Sequence, residues 1–444
     1  MIDDLAARAA KKAAKRFIPL LTFSYVLANL DRVNISFSAP TMMKDLALTP
    51  YLYGWAAGIF FLAYTAFEIP SNLILAKVGA RRWIARIMIT WGLLSVLTAV
   101  AVGPTSLIVI RFLLGVAEAG FFPGIIFFMA QWFPNEYRGR MTVVFFLAVP
   151  LSTGLGALVS APFLAMEGIL GLHGWQWLFI AEGLPAAITG IFVYYKLVDR
   201  PEEANWLTED EKRAIVGRLE RDHRSHANVA SKFLQAVTDK RVVGLSAIWL
   251  LRSICFFGVT FFLPQMISKA YSTTEVAIAA SVPSTIGALT TIPWMLSSDH
   301  FNDRRWHLIV AFLAICVGIG GAALHPGSLF ALACFTLAAI GYSAVTPVLW
   351  SIPPTFLKGQ ASAGGIALIN AIGYTGGMVG PVAIGWAKDA YGSFEGGLYL
   401  LSLLSLIGAA LTLLVVRSDG SGNQERRPKK EALNVAANNR MSNA

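Results

Sequence analysis

The sequence predicts an all-α membrane protein: twelve transmembrane helices in two similar halves of six. Three observations carry this: an apolar, charge-poor composition, long apolar runs in a six–linker–six order, and basic residues gathered in alternate loops. Of the 444 residues, 56% are hydrophobic and 14% charged, and the mean hydropathy is +0.60. A soluble domain carries about 25% charged residues. The net charge of +10 does not point to nucleic acid, because the basic residues lie in short loops between apolar runs rather than on one phosphate-binding face.

Runs long enough to cross a bilayer, about 20 residues each, fall near 17–39, 53–75, 84–104, 106–128, 141–163 and 176–197. Six more fall near 243–265, 277–297, 307–325, 328–350, 364–386 and 396–416. The chain therefore divides into an N-terminal tail (1–16), a first half (17–197), a polar linker (198–242), a second half (243–417) and a polar, basic tail (418–444) expected to be disordered. In the linker, Thr208 followed by Glu211 reads as a capping box opening a surface helix.

Positive charge sets the expected orientation. Arg81, Arg82, Arg86, Arg138, Arg140, Arg304, Arg305 and Lys358 share one side with the linker and both tails. The other side offers Lys44, Lys269 and Lys388. Both termini and the linker are expected in the cytoplasm of a bacterial-type cell, with the chain in its plasma (inner) membrane. Lys11, Lys12, Lys15 and Arg16 precede a full-length apolar run with no small-residue cleavage pattern, so no cleaved leader is expected.

Cys255, Cys316 and Cys334 lie apart within apolar runs, which argues against a disulfide framework or a metal site. The six histidines fall in loops or at the ends of runs. A proton crossing this protein would therefore travel on carboxylates. No cofactor is expected, no nucleophile–base grouping suggests an enzyme, and no terminal domain suggests a receptor. A monomer is expected.

The fourth run holds Arg111 and Glu118 where hydrocarbon should surround them. Ionisable groups at that depth are expensive and mark function. Seven residues apart, they share one helix face, roughly 10 Å apart along the axis. A buried cation and carboxylate suggest a protein that handles an anion together with a proton. The halves also look related. A basic turn with paired arginines follows the second run of each, at Gly79, Arg81, Arg82 and at Asp299, Arg304, Arg305. Each fifth run is rich in glycine and proline, which lets helices approach closely and bend. Two such halves around a midplane site form the architecture of an alternating-access carrier.

Several segments in order then resemble the major facilitator superfamily, and within it the anion:cation symporter family. They are Leu30-Asp31-Arg32-Val33-Asn34-Ile35-Ser36, Phe67-Glu68-Ile69-Pro70-Ser71-Asn72, Arg111 to Gly124, Trp132-Phe133-Pro134, Gly174 to Gly183, and the linker from Asp199 to Trp206. The resemblance covers nearly all of 15–417. It departs at Ala76, where the superfamily usually has an acid, and at His300 and Asn302, where arginine and glycine are common.

The resemblance implies a proton-coupled carrier of organic anions. It implies that Asp31 and Glu118 carry protons and that Arg32 and Arg111 supply positive charge to substrate and carboxylates. Asp31 and Arg32, adjacent on a helix, point about 100° apart and are not each other's main partner. Glu68 is a further proton-coupling candidate, with Tyr64 one turn before it on the same face. Arg252, some ten residues into the seventh run, is either a second cation for a dicarboxylate or an arginine snorkelling to the nearby membrane surface. In the second half Trp350, Ser351, Asn370 and Tyr374 can hydrogen-bond or stack on a substrate. Asn29 and Val149 stand where sugar-acid carriers tend to be polar, and Val149 tilts the expectation toward an aromatic or less hydroxylated carboxylate. The expected activity is uptake by symport of an aromatic acid, a tartrate-like diacid or a sugar acid. The rival on the same fold is proton-driven export of a drug or metabolite.

Overall fold

The computed structural model describes residues 2–134, 136–138, 141, 145, 148–224, 239–267, 273–357 and 360–416. Expectations resting on Arg140, Lys269, Lys358, the tail from 418 and the side chain of Val149 lie outside the described residues or side chains.

The first half contains α1 (Ile2–Asp45), α2 (Pro50–Val78), α3 (Ala80–Thr98), α4 (Pro104–Glu118), α5 (Phe121–Trp132), α6 (Ala148–Leu164) and α7 (Gly174–Lys196). The linker contributes α8 (Glu209–Arg224). The second half contains α9 (Lys240–Ile267), α10 (Thr273–His300), α11 (Arg305–Leu324), α12 (Leu329–Trp350), the short α13 (Pro353–Phe356), α14 (Gln360–Tyr374), α15 (Gly376–Tyr391) and α16 (Glu395–Val415). Eight helical segments among the described residues are individually long and apolar enough to cross a membrane, α4 with α5 making one of them.

Two spans are broken where charged or aromatic candidates sit. The fourth was read as one continuous run, but the chain leaves the helix after Glu118. Gly120 takes a left-handed conformation (φ 85°) before α5 resumes. A side chain there would be strained and would also strike Ser71, whose Oγ lies 2.4 Å from where a Cβ would be. Ser71 Oγ in turn donates to the Ala119 carbonyl freed by the break. The eleventh span changes from α14 to α15 at Thr375, directly after Tyr374. Residues 2–16, expected as a separate tail, continue the first helix.

The halves meet through α2 against α15, α6 against α10, and α1 against α9. At the end where α2 begins and α15 finishes, packing is backbone to backbone. A Cβ at Gly54 would lie 2.5 Å from the Pro381 carbonyl oxygen, and one at Gly385 would lie 2.2 Å from that of Pro50. Tyr53 closes the same end: its hydroxyl donates to the Phe261 carbonyl oxygen at 2.9 Å and lies 3.2 Å from that of Ile35. The last two turns of α2 are instead largely exposed.

The linker docks on the first half. Thr208 and Glu211 form the expected capping box: each backbone N–H donates to the other's side chain, at 3.0 and 3.3 Å. Trp206 stacks on Trp132, and Lys12 of α1 pairs with Glu211 at 2.7 Å.

Candidate functional site

Helix α1 presents Asp31 and Arg32 toward different neighbours, as their spacing requires. Arg32 forms an ion pair with Glu118, the last residue of α4. Asp31 accepts hydrogen bonds from Ser95 of α3 and, at 3.3 Å, from Asn34 one turn along α1. Glu118 and Arg111 are both 0% exposed. Arg111 donates from Nε to the Ala56 carbonyl at 3.4 Å and lies over the Phe60 ring. Its two terminal nitrogens are buried without a hydrogen-bond partner among the described residues, and Asp31 is within its electrostatic reach. Thus the cation that engages Glu118 comes from α1, not from Glu118's own helix. The one-face expectation for Arg111 and Glu118 could not show this, because it ignored what a neighbouring helix inserts.

Tyr64 covers the pair. The Arg32 guanidinium stands 5.2 Å from the Tyr64 ring centre, a cation–π distance. Tyr64 stacks on Tyr374 of α14, with centres 5.7 Å apart and planes 19° apart. This contact bridges the two halves at the site. Glu68, one turn beyond Tyr64, is partly buried and within electrostatic reach of Arg32.

On the second half, Arg252 donates to the Tyr342 carbonyl, at 3.4 Å from Nε and 3.2 Å from Nη2, and from Nη2 to Thr346 Oγ1 at 3.3 Å. It lies among the rings of Trp249, Phe256 and Tyr342. The guanidinium is turned in against α12, and no ion pair to it is found among the described residues. Trp350 packs edge-on against Trp249. Asn370 is half-buried one turn before Tyr374. Ser351 spends its hydroxyl on the Val348 carbonyl, and Asn29 donates its amide to the Tyr25 carbonyl.

The basic turns lie away from this centre. Arg304 pairs with Asp299, and Arg305 donates to the Leu413 carbonyl at 3.0 Å. Asn302 takes a positive φ of 46°, a conformation glycine adopts most readily, so the superfamily's glycine there fits the backbone. In the first half the carboxylate at the turn comes from the linker. Asp199 Oδ1 accepts from the Arg81 backbone N–H at 2.7 Å, and its side chain stands over Gly79. Arg81 itself lies 5.3 Å from the Tyr194 ring centre. With Ala76 apolar, Asp199 supplies the acid that the turn lacks.

One buried acid was given no role from the sequence. Glu182 of α7 is 5% exposed and accepts a hydrogen bond from Ser160 of α6 at 3.1 Å. The signal was present, a carboxylate eight residues into an apolar helix, but it served only as part of a recognition motif. No group of three or more potential metal ligands occurs among the described residues.

The sequence profile of the Major Facilitator Superfamily matches residues 21–287 and 262–441, and the chain belongs to that family. The chain is 44% identical over 425 residues to the "Putative tartrate transporter" of Agrobacterium vitis, covering 96% of this chain and 95% of that one. It is 37% identical over 409 residues to the "Quinolone resistance transporter" of Acinetobacter baumannii, covering 90% and 93%. In fold it is similar to the inward-facing, unoccupied crystal structure of a bacterial homologue of the human lysosomal transporter Spinster, with a TM-score of 0.78 at 17% identity over 90% of this chain and 96% of that one. The protein is a multi-pass membrane transporter with the twelve-helix fold, not an enzyme.

Proposed function

We propose that this transporter is a proton-coupled symporter that brings a small organic anion into the cell by alternating access. It would sit in the inner (plasma) membrane with both termini and the linker cytoplasmic, and act as a monomer without a cofactor. The observation that carries this reading is the Arg32–Glu118 ion pair at the broken fourth span. Ionised Glu118 occupies the guanidinium that an anion would need. A proton on Glu118 cancels that charge and frees Arg32 for a substrate carboxylate. Proton and anion thus help each other bind, and this mutual preference is the coupling. Asp31 and Glu68 are further proton-carrying candidates, and Arg111 adds positive potential behind them.

The Tyr64–Tyr374 stack lets the bound anion be felt by both halves. Arg252 supplies a cation on the second half with no acidic partner among the described residues, which suits a substrate with a second carboxylate. Asn370, Trp350 and Ser351 would line the remaining wall, and the turns at Gly79, Arg81, Arg82 and at Asp299, Arg304, Arg305 would gate the cytoplasmic end. The relative named as a tartrate transporter supports the diacid class. A second reading, proton-driven export on the same fold, is supported by the relative named for quinolone resistance.

The test is uptake by purified protein in liposomes under an inward proton gradient, across tartrate, sugar acids and aromatic acids. Symport predicts that one class accumulates and that a protonophore collapses the accumulation. It also predicts that Glu118→Gln exchanges substrate without responding to the gradient. Accumulation in Glu118→Gln equal to wild type would move the coupling site elsewhere.

A further inference from the structure

Arg32 and Arg252 each lie beside an aromatic ring, and both rings rest on the last two residues of α14. On α9, Trp249 and Phe256 stand three residues before and four residues after Arg252, which puts them on its face of the helix. Their ring centres lie 4.9 and 4.4 Å from the guanidinium carbon, within cation–π range. Tyr342 of α12 adds a third ring at 5.9 Å. Nε and Nη2 are taken by the Tyr342 carbonyl and Thr346 Oγ1. Nη1 has no hydrogen-bond partner among the described residues and is left to meet a ligand.

Trp249 is 7% exposed. Its indole lies against the bare backbone of Gly373. A Cβ there would overlap Cδ1 and lie 2.5 Å from Nε1. Trp350 closes on the same ring edge-on, with centres 5.3 Å apart. The indole Nε1 is buried without a partner among the described residues, so packing, not a hydrogen bond, holds the ring in place. At native packing density such a ring cannot shift without moving what it touches, and it touches Arg252.

The next residue, Tyr374, serves the other cation. It stacks on Tyr64 with centres 5.7 Å apart, and Arg32 stands 5.2 Å from the Tyr64 ring centre. Tyr374 is within electrostatic reach of both arginines. Contacts therefore run from Arg32 through Tyr64 to Tyr374, across one peptide bond to Gly373, and through Trp249 to Arg252.

We infer that Gly373 and Trp249 set the spacing between the two cations, and that this spacing makes the transporter selective for dicarboxylates of one chain length. Trp249 is a positioning residue, since it acts on the substrate through Arg252. Arg32, once released from Glu118, takes one carboxylate. Arg252 offers Nη1 to one oxygen of the other. A diacid that is too short or too long leaves one carboxylate off its cation. The inference rests on the reading of Arg252 as the cation for a second carboxylate.

The test is calorimetric binding to the purified full chain, at acidic pH and with no proton gradient. The ligands are malonate, succinate, glutarate and adipate, with butyrate as the monocarboxylate. Wild type should prefer one length over its neighbours by roughly tenfold. Gly373→Ala should shift that optimum or level it and leave butyrate unchanged. Trp249→Ala should level it as well. Adding Gly373→Ala to Trp249→Ala should change nothing more, because the ring it would strike is gone. Length profiles in both single variants that superimpose on wild type overturn the inference, and so do equal losses for diacids and butyrate. A wild type that binds all four diacids alike, or none, overturns it too. An optimum levelled in Arg252→Gln but intact in Gly373→Ala and Trp249→Ala would leave Arg252 as the second cation and remove its positioning by Trp249. Diacids that bind with the expected length preference, but are not moved by a proton gradient in liposomes, contradict the symport reading alone.

Discussion

The residues that define this site are charges placed where the membrane makes them expensive. Arg111 and Glu118 stand out in the sequence for that reason, while Asp31 and Arg32 enter through the family resemblance. Which of them pair was not, because pairing depends on how α1 and α4 are turned against each other. Glu182 shows the cost of reading a residue only as part of a motif. Arg252 illustrates how contacts decide between readings that spacing leaves open. Its guanidinium binds the Tyr342 carbonyl and Thr346 and sits among aromatic rings. If it anchors a second carboxylate, Arg252→Gln should raise the KM for tartrate on the order of 30-fold, or about 2 kcal/mol. A monocarboxylate of similar size should change little. Concentration-dependent uptake in liposomes measures both, and equal losses for the two substrates would assign Arg252 to packing.

At the scale of elements, hydropathy marks candidate spans because every apolar run must be long enough to cross, and it marks the linker because polar residues interrupt the series. It did not reveal the break at Gly120, since apolar residues continue through it. Nor did it show that Asp199 would serve Arg81 of the basic turn, 118 residues earlier in sequence, a contact that only the packed linker creates. The packing of α2 on α15 is the element-scale device for closing one end. Bulk at Gly54 meets backbone rather than a movable side chain. Gly54→Val should therefore disfavour this closed arrangement by on the order of 1–3 kcal/mol. Cysteines placed near Pro381 in this variant should react faster with a membrane-impermeant reagent added outside the cell. Unchanged labelling rates would mean that the close approach does not hold the end shut.

For the whole molecule, six spans, a linker and six spans could be counted from the sequence, and the family match agrees with that architecture. The closed end at Gly54 and Gly385 lies opposite the end that holds the linker, where the last turns of α2 are largely exposed. In the orientation proposed from the distribution of arginine and lysine, that end is the cytoplasmic one. In the proposed cycle the Arg32–Glu118 pair is the state left after proton and anion have gone.

The central claim concerns direction: proton and anion move together. The most direct measurement is lumenal pH in liposomes carrying the purified protein and a trapped pH dye, with no initial gradient, on adding tartrate outside. Symport predicts lumenal acidification that follows tartrate entry and is abolished in Glu118→Gln. Lumenal alkalinisation on substrate entry would show exchange of proton against substrate and would contradict the account.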